Sequence, residues 1–477
     1  MRERVELSIV GAGPAGMQAA ITAADAGVSV VLVDRYPRPG GQYFQQLPAG
    51  FLAAAPTRRD LQARSVLDRL QSPRLRLLSN TVVWGALPTP DGERWELALH
   101  GPGAPHRVDS QAIILAPGAY DRPVPFPGWT LPGVMTAGGA QTLVKTQRVL
   151  PGRRILLSGT GPLQLAVAAS LVQAGATVIG VLEASPLGWD AFAQAVAAWG
   201  QWTRLREGMS YWWVLRSAHV PFQVGWSVVE ARGDGEVEEA VIARLDKEWR
   251  PIPGTARTVA VDTIITGYGL IPSTEVSRLL GCEHSFQPEQ GGYVPCRDVE
   301  MQTSMPGVYA VGDGAGIGGA ELAMVEGQIA ALAASRRLGH LGDDVAQRMI
   351  GKLQRRLARE GRFARMLQRL FTPGPGLFEL ATDDTVICRC EEVTLGEIRR
   401  AGAEVQSVNE LKGLTRVGMG DCQGRICGEL AARFLAVGSG SGKDFLTRMG
   451  EVGTFTARPP TYPLTVSELA DAVLSAN

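Results

Sequence analysis

The sequence predicts an α/β chain of two Rossmann-like dinucleotide-binding domains followed by a small helical module. Three observations carry that prediction. A strand, a Gly-rich turn, a helix and a strand ending in an acid follow one another across 5–34. The same succession recurs across 154–183. Four of the six cysteines then fall between Cys388 and Cys427.

In the first succession, Val5–Val10 is an apolar run with β-branched character, and Gly11-Ala12-Gly13-Pro14-Ala15-Gly16 follows at once. A helical pattern over Met17–Ala26 closes at Gly27, and the strand Val28–Val33 ends at Asp34 and Arg35. The first glycine permits the tight turn, the second lets backbone approach a pyrophosphate, and the third lets helix and strand pack closely. Free N–H groups at the helix start favour phosphate. Asp34 is placed to bond a ribose hydroxyl. The motif alone does not separate FAD from NAD.

In the second, the strand Arg154–Ser158 leads into Gly159-Thr160-Gly161-Pro162-Leu163-Gln164, with Gln164 where a third glycine would stand. The helix stops at Gly175, and Thr177–Leu182 ends at Glu183. A Rossmann-like fold is expected, with Gln164 crowding its helix–strand contact. Glu183 disfavours NADP, whose 2′-phosphate calls for a cation. A site for NAD or ATP and a vestigial fold stay equally open. Six tryptophans lie between Trp189 and Trp226, where core packing is the expected role.

Farther on, Val345–Phe371 reads as a helix with eight basic residues and a packed face of Val345, Met349, Leu353, Leu357 and Leu367. Its basic side is expected to be solvated; docking of an acidic partner chain is the alternative. Gly438–Lys443 lacks the spacing and the Ser/Thr of a phosphate loop and reads as a linker. The cysteines form Cys388-Arg389-Cys390 and Cys422-Gln423-Gly424-Arg425-Ile426-Cys427. Four thiolates suit a [2Fe–2S] cluster or zinc, and spacing leaves both open. Thr394 and Ser407 stand as N-caps before Leu395–Ala401 and Val408–Leu414. So short a module needs its metal or a neighbour for stability. Cys282 and Cys296 read as small core residues.

Composition narrows the function classes. The 477 residues hold 47 Lys+Arg and 47 Asp+Glu, which removes any whole-molecule attraction to nucleic acid or anionic membrane. Length alone suggests about three domains. Six cysteines are too few for a disulfide-stapled secreted protein of this size. Met1–Glu6 does not read as a secretory signal, and no apolar run is long enough to span a bilayer. A cytoplasmic protein with no integral membrane segment is expected. The five histidines are scattered, and no redox cysteine pair precedes Cys388, so no catalytic residue is assigned and disulfide reduction is not expected.

Further segments carry a resemblance. Ala112–Ala119, with Ala116 and Gly118, Gly40-Gly41-Gln42, and Gly307–Asp313 ending in Gly312 and Asp313 resemble the two-dinucleotide-domain flavoproteins of the glutathione and thioredoxin reductase type. Pro117 departs from the usual Thr of that turn. The resemblance implies FAD, held by Gly11, Gly13, Pro14, Ala15, Gly16, Asp34, Arg35, Gly41, Gln42, Ala116, Gly118, Gly312 and Asp313. Gly312 would let the strand end pass the cofactor, and Asp313 would accept from a ribityl hydroxyl.

Cys388–Glu392 and Gly418–Cys427 closely resemble the [2Fe–2S] domain related to bacterioferritin-associated ferredoxin. That resemblance implies Cys388, Cys390, Cys422 and Cys427 as cluster ligands. With Phe126–Val134, Gly138–Gln141 and Arg458-Pro459-Pro460, the whole chain resembles the α subunits of hetero-oligomeric dye-linked dehydrogenases. These include opine, proline and hydroxyproline dehydrogenases, hydrogen cyanide synthase, and part of sarcosine oxidase α. The resemblance implies an electron-transfer flavoprotein and iron–sulfur subunit of a dehydrogenase for an amino acid or opine. Its FAD-containing β subunit would oxidise the C–N bond, with a small γ subunit optional and a higher hetero-oligomer overall. FMN at a subunit interface is a further option. The alternative is a stand-alone NADH-dependent reductase passing electrons through FAD to the cluster; a scaffold with a structural nucleotide is a third reading.

The expected domains are 1–125 with 290–335 for FAD, 126–289 for the second nucleotide fold, and 336–383 as a helical connector. The cluster domain takes 384–435 and a tail 436–477.

Overall fold

The computed structural model describes residues 2–47, 58–186, 202–438 and 443–474. The chain divides into two compact units, one of 1–120, 271–364 and 456–477, the other of 121–270 and 365–455.

The first unit is built on a seven-stranded sheet. Arg2–Val10 lies at its centre, parallel to Val30–Val33 on one side and Arg107–Leu115 on the other. Val308–Ala310 also joins Arg107–Leu115 in parallel, whereas Trp95–His100 and Val82–Pro88 extend the sheet antiparallel. Val30–Val33 is a continuous run of Val and Leu, and Ala112–Leu115 closes its strand with another apolar run, because these stretches are fully buried. Two helices, Pro14–Asp25 and Ala320–Arg337, pack through small residues such as Ala19, Ala23, Ala330 and Ala334. Their approach is close: a β-carbon on Gly327 would stand 2.2 Å from the Ala15 carbonyl oxygen.

The second unit has a five-stranded parallel sheet ordered 222–224, 177–183, 154–159, 263–267 and 134–136. A three-stranded antiparallel sheet, Trp226–Arg232, Glu239–Arg244 and Arg257–Ala260, packs against it. The cysteine module belongs to this same unit. A short hairpin, Val386–Cys388 with Val393–Thr394, precedes helices Leu395–Gly402, Val408–Thr415 and Gly428–Gly438. Thr394 and Ser407 do cap the first two, Thr394 in a reciprocal capping box with Glu397.

Two expectations are corrected. The helix over Asp343–Phe371 forms, but its packed face in the first unit is Ala346, Ile350, Leu353 and Leu357, a 4-3-4 spacing. Val345 and Met349 lie one position off that stripe and are exposed. Of the six tryptophans, among those whose side chains are described, Trp212 and Trp213 depart from core packing at 42% and 67% exposed, whereas half-buried Trp226 packs against the core that holds Val228 and Ile242. Trp189, Trp199 and the Gly438–Lys443 linker between its ends fall outside the described residues. Cys282 is a core residue as expected, whereas Cys296 is only half-buried. No described helix is long and apolar enough to cross a membrane.

Candidate cofactor sites

In the first unit, the strand Arg2–Val10 ends in a loop whose glycines are fixed by contact. Gly11 has φ +100°, and a β-carbon there would sit 2.2 Å from the Ala116 carbonyl oxygen. At Gly16 the same atom would be 1.8 Å from the Gly11 carbonyl oxygen. Gly13 differs: nothing lies within 4 Å of its β-carbon position, so its face is open to a ligand. The helix begins at Pro14 with Gly13 as an N-cap that offers no side chain, leaving the first-turn N–H groups to an anion. Ala15 lies buried beneath that turn.

Asp34 spends its carboxylate on the loop. Its Oδ2 accepts from the Ala12 N–H at 2.5 Å and its Oδ1 from the Tyr36 N–H at 2.8 Å. Burial pushes its carboxyl above the ordinary range, against those two N–H groups. A carboxylate has about four lone-pair sites, so capacity for a ribose hydroxyl remains. Arg35 is exposed and stacks over Tyr36 at 4.8 Å. Gly40 donates its N–H to the Ala12 carbonyl at 2.8 Å, and a β-carbon on Gly41, which has φ +57°, would stand 3.0 Å from the Gly13 Cα. Gln42 is exposed and pairs with Gln45.

The late turn approaches from the other side. Ala116 donates to the Val10 carbonyl at 2.8 Å, and Gly118 is left-handed with open space at its β-carbon position. Pro117, the departure from the family pattern, packs its ring against Gly314, where a β-carbon would come within 2.8 Å of it. Gly312 has φ +66°, and a β-carbon there would stand 3.0 Å from the Ala15 Cβ. Asp313 Oδ1 accepts from the N–H groups of Gly318 and Gly319, both at 3.0 Å. It thereby orders the approach to helix Ala320–Arg337, and desolvation raises its carboxyl pKa. Sequence reasoning missed Glu326. Its Oε2 accepts from the Gly312 N–H at 2.7 Å, while Arg297 grips both carboxylate oxygens at 2.8 and 3.0 Å. The available signal was a lone acid inside Leu322-Ala323-Met324-Val325 and Gly327. Open Gly13, an uncapped helix start and glycine-only contacts fit the pyrophosphate and flavin of FAD.

In the second unit, Cys388 and Cys427 are buried, Cys422 is half-buried and Cys390 exposed. The thiols meet two by two, Cys388 with Cys427 and Cys390 with Cys422. The Cys427 thiol, helped by N–H groups of Gly418, Glu391 and Cys390, holds Cys388 down to about 5 against burial. Conversely, that hydrogen bond and then burial push Cys427 up. Among the described residues, no group of three or more His, Cys, Asp or Glu side chains is gathered as a metal cage. What fits a [2Fe–2S] cluster is the donor chemistry: four thiols in two pairs, with backbone N–H groups aimed at sulfur. Gly420 has to be glycine, since a β-carbon would stand 2.2 Å from the Cys390 Cβ. Gly418 and Gly424, both at φ +81°, wrap Phe455.

The module is seated on the second nucleotide fold by residues whose contacts no motif reveals. Trp129 Nε1 donates to the Val386 carbonyl at 2.7 Å, and Arg389 lies 5.7 Å over the Trp129 ring. Arg122 forms a buried ion pair with Glu429, two residues beyond Cys427. Ile426 packs into the core of Phe126, Trp129 and Ile264.

The second Gly-rich loop forms as expected, with a different interior. Gly161 N–H donates to Glu183 Oε2 at 2.9 Å, and the Ser185 N–H to Oε1 at 2.9 Å. Gln164 is 2% exposed, and neither end of its amide has a hydrogen-bond partner among the described residues. Its side chain lies over Gly267, where a β-carbon would stand 3.5 Å from the Gln164 Cγ.

Both sites fall within segments that match known families. The pyridine nucleotide-disulphide oxidoreductase family matches residues 5–331, and the BFD-like [2Fe-2S] binding domain matches 386–436. Hydrogen cyanide synthase subunit HcnB of Pseudomonas aeruginosa is 41% identical, over 88% of this chain and 90% of that protein. The A subunit of opine oxidase from Rhizobium meliloti is 34% identical, over 98% of each chain. Among solved structures, L-proline dehydrogenase from P. horikoshii shares the fold, with a TM-score of 0.69 at 19% identity over 98% of this chain and 80% of that one. Two cofactor sites on one chain and these relatives lead to one conclusion: the chain belongs to the pyridine nucleotide-disulphide oxidoreductase family, as an FAD oxidoreductase that also carries a BFD-like [2Fe–2S] domain.

Proposed function

We propose that this chain is the electron-transfer subunit of a hetero-oligomeric dehydrogenase, and that a FAD-containing β subunit oxidises the C–N bond of an amino acid or opine. The observation that carries the reading is the pairing of a flavin-type loop with a four-thiol loop on a chain whose relatives are named as subunits. When bound, FAD exchanges electron pairs and the cluster carries single electrons. This chain's residues supply the positioning. Gly11, Gly13, Pro14, Ala15 and Gly16 cradle the pyrophosphate, and Asp34 orders the loop beside Arg35. Gly41, Gln42, Ala116 and Gly118 border the flavin side, and Glu326 fixes Gly312 ahead of Asp313. Cys388, Cys390, Cys422 and Cys427 ligate the cluster, and Arg122 with Trp129 holds that module in place. No residue here is assigned to substrate chemistry.

Tagged full-length chain, recovered from its native source, tests this reading. It should bring down a FAD-containing second subunit, with or without a small third. The complex should reduce a dye with proline, hydroxyproline or an opine, while the isolated chain does not. Dye reduction by the isolated chain with those substrates would overturn the proposal.

A further inference from the structure

Gly161 occupies the place in the second loop that Gly13 holds in the first, the residue over which a dinucleotide's pyrophosphate passes. Gly13 is open, whereas Gly161 is buried, and its bare face is taken. The Phe371 side chain stands against it, with Cγ, Cβ and Cδ2 at 3.4, 3.5 and 3.7 Å from the β-carbon position. The gap between Gly161 and the ring therefore holds a single carbon in van der Waals contact, and a phosphate oxygen accepting from backbone there would leave no room for the phosphorus and further oxygens behind it.

Phe371 is held there by the chain that follows it. Helix Asp343–Phe371 ends at this residue, and Thr372 turns back on the Gln368 carbonyl through its N–H at 3.0 Å. Gly374 then lies so close to Trp249 that a β-carbon would meet the indole at 2.4 Å, and Trp249 is itself buried. Gly376 donates its N–H to the Glu248 carbonyl at 3.0 Å. Arg250 and Glu379 close the segment with a two-point ion pair at 2.7 and 2.8 Å. Three successive clamps within nine residues make the ring a fixed wall.

We propose that Phe371 is a specificity-determining plug that shuts the second nucleotide fold to nicotinamide dinucleotides. Electrons therefore do not enter this chain from NADH through that fold. The plug is a property of the isolated chain, independent of which partner it assembles with. The adenine-dinucleotide shape of the loop survives beneath the plug: Pro162 starts the helix, Gly161 caps it with no side chain, and Glu183 sits at the neighbouring strand end.

The test is titration calorimetry of the full, cofactor-loaded chain with NAD⁺. The wild type should show no binding tighter than about 1 mM, and Phe371→Ala should bind at least about tenfold more tightly. Phe371→Leu covers the case in which the alanine variant does not fold, because it keeps apolar bulk on the helix and still removes the flat ring. Thermal melts with and without NAD⁺ provide the second readout, with stabilisation expected only in the variants. Equal affinity in wild type and folded variant, whether tight or undetectable, overturns the proposal.

Discussion

Residues 11–16 and 159–164 follow the same path from strand into helix, and each loop is tied to an acid at the end of the next strand. They part at the second and third glycine positions. In the first loop Gly13 is open and Gly16 is pressed against the Gly11 carbonyl. In the second, Gly161 lies under Phe371 and Gln164 fills the third position. A glycine therefore serves two separate ends: it admits a ligand, or it admits another part of the same chain. The fold needs only the second, which is why a Rossmann-like unit can be complete and yet closed.

The largest expected effect is on the first loop. Gly16→Val would drive a side chain into the Gly11 carbonyl and should cost about 3 kcal/mol or more. Flavin content of the purified chain should fall to near zero. Undiminished FAD in that variant would make the two third positions equivalent.

A comparable loss is expected where each unit carries an Arg–Glu pair beside its cofactor turn, fully buried for Arg122–Glu429 and part-buried for Arg297–Glu326. Arg122→Met leaves Glu429 buried without that guanidinium, and Arg297→Met removes the grip on Glu326. Breaking such a pair costs about 3–5 kcal/mol. Iron content should drop in the first variant with flavin retained, and flavin should drop in the second with iron retained. Loss of both cofactors in both variants would deny the units their separate roles.

The smallest effect should carry the opposite sign. Gln164 buries an amide with no partner among the described residues, so Gln164→Met, of similar length, should raise stability by about 1 kcal/mol. Denaturant unfolding would register this as a higher midpoint with unchanged slope. A destabilised variant would mean that the amide has a bound partner in solution, and the second loop would then no longer count as closed.

Much of this was legible in the sequence. Both strand–loop–helix–strand units, the Gly312-Asp313 turn, the thiol spacing and the Thr394 and Ser407 caps are local patterns, and local patterns survive in a linear reading. What was not legible depends on contacts across the chain. Phe371 is one residue at the end of a long basic helix, and nothing near it hints at Gly161, about two hundred positions away. The Arg122–Glu429 pair spans 307 positions. Trp212 and Trp213 misled because their size predicts burial, yet the helix Trp202–Ser217 leaves them exposed. By position in the sequence Asp34 and Asp313 suit ligand contacts; in the structure both serve the backbone N–H groups that shape their own loops.

A plug over the second loop leaves only the first loop to work, and predicts that nicotinamide does not reduce this chain. Anaerobic stopped-flow mixing of the FAD- and iron-loaded chain with excess NADH measures this directly. The flavin spectrum should stay unchanged. Rapid bleaching of the flavin, followed by appearance of a reduced-cluster signal, would contradict the claim.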